Sequence, residues 1–166
     1  LEDHGYYNLQ LNMPSANCAE SIAKIAALGG THAEPGHGLS GTTPYHAIHT
    51  DAKERIAYAY LSEVSHNLDH KSYCYGGGYY RRGHLSHALV GDSLDDACYM
   101  SVVPPMDESI DYHFELSDSA RVGDAVVMCF RTQIFVTRSD VVIVSGISNG
   151  NPHIDGVYDS QGHKLV

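Results

Sequence analysis

Cys18 is the residue of this sequence best placed for nucleophilic chemistry. Asn17 can cap a helix and Glu20 stands three residues on, a capping-box spacing that makes Cys18 the first helical residue. Unpaired N–H groups and the helix dipole favour a thiolate there, which suits a nucleophile. Cys18 also shares an apolar face with Ile22 and Ile25, so a packed thiol or a disulfide partner is the competing role. A cysteine nucleophile needs a base, and Gly83–Gly91 offers His84 and His87. Their opposite parity on a strand lets only one of them meet the thiol; His87, immediately before the apolar run, is the preferred one. An acid would orient the imidazole, and Asp107 and Asp124 are equal candidates. Backbone N–H groups at the helix start would stabilise an oxyanion.

Other constellations carry less chemistry. His66 and His70 are four apart, and His46 and His49 form a looser pair, but no Glu stands between the helical histidines as in a metalloprotease motif. No metal site and no cofactor is expected. His32-Ala33-Glu34 lacks the Pro-Cys-x-x-Cys of zinc deaminases. Gly76-Gly77-Gly78 lacks the Lys-Ser/Thr of a phosphate loop and reads as a flexible turn. Around it Tyr73, Tyr75, Tyr79 and Tyr80 offer apolar faces with polar tips, suited to a sugar- or protein-binding patch or to packing the turn onto a sheet.

The elements that would position these residues divide the chain in two. Residues 1–16 read as an extended arm, followed by a helix from Asn17 that Gly29-Gly30 stops. The Gly-, Pro- and His-rich stretch 29–50 reads as a long surface loop. Asp51 and Glu54 form a second capping box, and Ile56, Tyr60 and Val64 recur at helical spacing, predicting a helix over 51–66. Short apolar runs then predict strands at 86–90, 97–103, 110–116, 125–131, 133–137, 140–145 and 155–159. The expected fold is α+β, a single domain over 1–166: a helical part over 17–70 packed on a mostly antiparallel sheet over 84–166.

Composition narrows the partners. A chain of 166 residues with 43% hydrophobic and 18% charged residues can bury a core of its own. Its formal charge of −10 repels a phosphate backbone, so nucleic acid is not an expected partner. The longest apolar stretches, Ala125–Phe130 and Val141–Val144, fall far short of the roughly 20 residues of a membrane-spanning helix, and no membrane partner is expected. Protonation of all 12 histidines would take the charge from −10 to about +2, so acidification would change the electrostatics sharply. The four cysteines contain no Cys-x-x-Cys pair; they are two disulfides or free thiols. The start at Leu1, without Met or a basic and apolar leader, reads as a mature or excised domain, expected to be secreted or extracellular.

Asn17-Cys18-Ala19-Glu20-Ser21-Ile22 resembles the nucleophile helix of papain-like cysteine hydrolases, and His87-Ala88-Leu89-Val90-Gly91 is similar to their histidine strand. The order Cys, His, acid agrees. This resemblance implies a papain-like or NlpC-like fold and amide chemistry: thiol proteases, NlpC/P60 and CHAP peptidoglycan hydrolases, or TecA-type deamidases acting as toxin effectors. A competing register through Gly83-His84-Leu85-Ser86, Val122–Val127 and Asp140–Val144 also resembles NlpC/P60. It puts Ser86 at the family's cysteine and Asp140 at its histidine, which implies a non-catalytic relative. The expected function is a cysteine-dependent amide hydrolase acting on a peptide, peptidoglycan or protein, with Cys18 attacking, His87 or His84 relaying the proton and Asp107 or Asp124 orienting it. The alternative is a non-catalytic secreted binding or self-assembling domain whose Tyr and His residues make contacts. The sequence leaves the oligomeric state open.

Overall fold

The computed structural model describes residues 1–13, 18–34, 36–41, 51, 55–80, 85–103, 110–128 and 139–166, with backbone only for 37, 77–80 and 110–112. They form two compact units, Leu1–Ala59 and Tyr60–Val166.

In the first unit, α1 spans Ala19–Ala27 and a five-residue helical segment, α2, spans Gly36–Ser40. The alanine-rich α1 ends where Gly29 takes a positive φ of 88°. Cys18 is its N-cap, with extended backbone, so the first helical residue is Ala19 and not Cys18 as the capping box predicts. The thiol makes no capping hydrogen bond. After the helix, the chain returns beside the arm: Thr31 N and His32 N donate to Leu11 O, and Asn12 bridges His32.

The second unit is built from strands. β1 (Tyr60–Leu68), β2 (Lys71–Tyr80), β3 (His87–Gly91), β4 (Cys98–Val103), β5 (Ile110–Leu116) and β6 (Ala125–Met128) close a barrel in the order β1-β2-β5-β4-β3-β6. Every neighbouring pair is antiparallel. Alternation along the strands creates the core. Val64, Cys74, Ala88, Val90, Met100, Val102, Phe114, Leu116, Val126 and Met128 point inward, and Leu85 joins them. Each large apolar side chain among them stabilises the barrel by roughly 1.5–3 kcal/mol. Side chains thus fill the interior, as in other small barrels. The one buried polar side chain among the described residues, Ser72, is satisfied: its hydroxyl donates to Asn67 Oδ1 at 2.7 Å and accepts from Ala120 N at 2.6 Å. Asn67 Nδ2 in turn donates to Ala120 O at 2.9 Å, so the β1–β2 hairpin is clamped to the turn after β5.

β7 (Val141–Ser145) and β8 (His153–Tyr158) form a separate two-stranded antiparallel ribbon. Gly146 opens its connection with φ 77°, and a Cβ there would lie 1.9 Å from Asn151 O, so only glycine fits.

The α+β expectation is therefore corrected: the described residues are mostly β, a closed barrel plus a ribbon, with α1 the only helix longer than five residues among them. The helix expected over 51–66 is not present where the chain is described; Tyr60–Leu68 is β1. Tyr60 and Val64 are four apart, a spacing that suits a strand as well as a helix, and the intervening Ser62 completes a period of two. The turn that follows lacks a glycine signal. Asp69 and His70 both take positive φ, 49° and 65°, which makes a two-residue turn of the I′ kind. The glycine run predicted as a flexible turn instead lies inside β2. Tyr75 pairs with His113 and Tyr79 with Asp111, so β2 advances four residues while β5 advances two. Glycine tolerates the backbone of such a bulge. The later strands lie in segments where the apolar runs predict them, whereas 133–137 lies outside the described residues. No helix of the described residues is long and apolar enough to cross a membrane.

Candidate functional site

The outward face of β1, β2 and β5 collects the unusual residues of this chain. Ser72 and Cys74 of β2 are buried, so Lys71, Tyr73 and Tyr75 turn out. Register brings His66 of β1 opposite Tyr73, and His113 and Glu115 of β5 opposite Tyr75 and Tyr73. The rings make a continuous strip. His66 stacks on Tyr73 with centroids 4.8 Å apart and planes within 4°, His113 meets His66 edge-on at 6.0 Å, and Tyr75 meets His113 at 5.3 Å. Ser65 Oγ lies 2.9 Å from His66 Nδ1 and donates to Tyr73 O, which fixes one end of the strip.

Charge anchors the same end. Lys71 Nζ donates to Glu115 Oε1, and Tyr73 OH donates to Glu115 Oε2 at 3.0 Å. The hydrogen bond from the Lys71 ammonium, with a smaller one from Tyr73, holds the Glu115 carboxyl below the usual carboxylate range. The same carboxylate raises the Lys71 ammonium and the Tyr73 phenol above their usual values, in each case chiefly through its hydrogen bond. Tyr75 remains 47% exposed, and both imidazoles are exposed. The strip offers ring faces, ring edges and two exposed imidazoles on the outer wall of the barrel.

The residues expected to make a hydrolase are placed as follows. Cys18 is 3% exposed in the first unit, whereas His87 and Asp124 belong to the second. His87 opens β3 on its outward side, 3.0 Å through Nδ1 from Ser86 Oγ. Asp124 accepts from Arg121 N at 3.1 Å and from Arg121 Nε at 2.9 Å, closing the turn before β6. Gly91 pairs with Ala125, so Asp124 stands by the far end of β3, about 13 Å along the strand from His87. His84 and Asp107 lie outside the described residues, as do Asn17, His46, His49 and Cys129. His66 and His70 share no helix: one lies in the strip and the other in the hairpin turn. Among the described residues no group of three or more His, Cys, Asp or Glu is arranged to hold a metal.

Cys18, Cys74 and Cys98 are free thiols. Burial pushes the Cys74 thiol up to about 11, which keeps it protonated at neutral pH. A cleft of about 320 Å³ lies near Arg121, lined among others by Asp92, Cys98, Met100, Ser119 and Asp124. Arg121 spans it, bonded to Asp92 at 2.8 Å and to Asp124.

Residues 59–154 match the family described as YhfX-like, C-terminal domain. The chain belongs to this family. The matched stretch opens one residue before β1 and runs into β8, so it takes in the barrel and leaves Cys18 outside. The YhfX-like domain is also 54% identical over 157 residues to the "Uncharacterized protein YhfX" of Escherichia coli (strain K12), covering 94% of this chain and 40% of that protein. The chain thus spans well under half the length of this relative. These matches overturn the papain-like resemblance, in its NlpC/P60, CHAP and TecA forms alike, and nothing in them points to a thiol protease or a toxin. The physical reason is that two short runs of small and valine-type residues carried it. His87–Gly91 is an ordinary barrel strand with Ala88 and Val90 inward.

Sequence reasoning singled out Tyr73 and Tyr75 but missed Lys71, His113 and Glu115. The signal was present: Asp111, His113 and Glu115 alternate with Tyr112, Phe114 and Leu116, a strand with one polar face.

Proposed function

We propose that this YhfX-like domain is a non-catalytic binding module that takes an extended polypeptide segment on the outer face of β1, β2 and β5. The observation that carries this reading is the strip Tyr73–His66–His113–Tyr75, four rings each in contact with the next on the outer barrel wall. Stacked Tyr and His offer apolar faces with polar edges, the surface that recurs where proteins grip other chains. Tyr75, His66 and His113 are exposed and the barrel interior is filled by side chains, which favours a ligand that can lie along strands over one that needs enclosure. The Lys71–Glu115–Tyr73 set holds the Tyr73 ring at one end of the strip in place, so little of its freedom is lost on binding.

The experiment is capture on a peptide array, comparing the wild-type chain with the double variant Tyr75→Ala, His113→Ala. Both side chains point outward, so the variant keeps the fold. The reading predicts a defined set of peptides bound by the wild type and at least about tenfold weaker binding by the variant, as for loss of a pair of aromatic contacts. Binding that the variant leaves unchanged, or an array with no peptide captured, contradicts it.

A further inference from the structure

The β7–β8 ribbon has a composition that its surroundings do not explain. Val141, Val142, Ile143 and Val144 are four consecutive apolar residues, the pattern of a strand buried on both faces. All four are 40–49% exposed. Register sorts them. Val142 lies opposite Val157 and, across a bulge at Asp155 that restores the phase, Val144 lies opposite Ile154, so these four aliphatic side chains share one face, with Ile154 66% exposed. Val141 and Ile143 occupy the other face, where the Tyr158 ring covers Gly156. Leu165 and Val166, also exposed, run beside β8 through backbone bonds to Val157. A two-stranded ribbon is marginal by itself in water, and a contiguous apolar face of this kind marks a surface that is covered.

We propose that in a YhfX-like protein of the relative's length this ribbon face docks on the remainder of the same chain. Two observations favour that occupant over a second copy. About 60% of the relative lies outside the match, and the family is described as a C-terminal domain, so a large stretch of polypeptide precedes the barrel and is tethered to it. A tether holds the two parts at an effective concentration in the millimolar range, enough for a small apolar face to stay covered. A second copy would instead bring together two chains of net charge −10, with Asp155 within the ribbon and Asp140 and Asp159 at its borders on each. The ring strip lies on different strands, so this docking stands or falls independently of the proposed binding function.

Side-chain footprinting tests it, applied to the 166-residue chain and to the full-length Escherichia coli relative, each at a dilute and a high concentration. The expected result is labelling of the ribbon segment at least about fivefold lower in the full-length protein, at both concentrations. Equal labelling of the two proteins overturns the proposal. Protection that appears in the 166-residue chain on concentration also overturns it and assigns the face to a second copy. Lysines at the positions aligned with Val142 and Ile154 in the full-length relative should raise labelling of its ribbon to the level of the 166-residue chain. Unchanged labelling in a folded variant counts against the docking, and if the variant does not fold the wild-type comparison decides.

Discussion

The barrel wall and the β7–β8 ribbon use the same kinds of residue to opposite effect. In the barrel, Val64, Val90, Val102 and Val126 are each 4% exposed or less, because every strand turns one face to a shared interior. In the ribbon, Val141, Val142 and Val144 are at least 40% exposed, because no second sheet among the described residues of the same unit closes over them. Valine content therefore predicts strand formation in both places but burial in only one. What separates them is closure: six strands bring their inner faces together, and two cannot. The barrel is a finished object, whereas the ribbon is finished only by something else.

The comparison can be broken most directly with truncations to alanine. Phe114→Ala should destabilise the second unit by about 3–5 kcal/mol, the range for an aromatic side chain removed from a packed core. Val142→Ala in the isolated chain should change stability by no more than about 0.5 kcal/mol, as for an exposed position. Urea denaturation followed by far-UV circular dichroism measures both; a ribbon substitution as damaging as the core one would erase the distinction.

The next effect in size concerns the polar clamp. Ser72 is fully buried and Ala120 half-buried, so Ser72→Ala, which leaves Ala120 N without its 2.6 Å acceptor, should cost about 1–3 kcal/mol in the same denaturation experiment. Loss of less than about 0.5 kcal/mol would mean that water replaces the hydroxyl, and that this end of the barrel is more open than its packing implies.

Thiol chemistry sharpens the contrast between buried and exposed positions. Cys98 is exposed, Cys74 is fully buried with its thiol pushed up to about 11, and Cys18 is buried, so iodoacetamide at pH 7.5 or so should label Cys98 well ahead of the other two. Mass spectrometry of the modified peptides reads the order. Rapid selective labelling of Cys18 would favour the cysteine-hydrolase alternative over a binding module.

The smallest effect is electrostatic. The Glu115 carboxyl is held low by Lys71 first and Tyr73 second, so it contributes stability that is present above the ordinary carboxylate value and lost as pH falls through its depressed folded value. Glu115→Gln should flatten the acid limb of the Tm-against-pH curve and leave its alkaline side nearly unchanged. Both partners are only half-buried and reach solvent, so the change is small and diminishes with salt.

Much of the sheet was legible because alternation is a local signal. The runs at Ala88–Val90, Met100–Val102 and Val126–Met128 place apolar residues two apart, and those strands form where they predict. β1 and β2 were not legible, for two reasons. The turn between them is Asp69-His70, residues that enter the left-handed region more readily than most but carry no glycine signal. The bulge within β2 is written in glycines that punctuate turns more often than strand interiors. Missing those two strands left four of the barrel's six, and an open sheet invites a helical cover that Tyr60–Leu68, being β1, does not supply. The strip was half legible. Tyr73 and Tyr75 announced themselves by residue type, but their neighbours His66, His113 and Glu115 reach them only through the β1–β2 and β2–β5 registers, and pairing between distant strands is not written in local spacing.

The most direct test of the binding reading is heteronuclear NMR of the 166-residue chain titrated with the peptides that an array selects, following the imidazole and ring resonances of His66, Tyr73, Tyr75 and His113. The account predicts that these signals shift together and saturate with one dissociation constant, while those of Arg121 and of the α1 helix stay still. Shifts centred on the Arg121 cleft or on Cys18, with the ring strip unmoved, would contradict it.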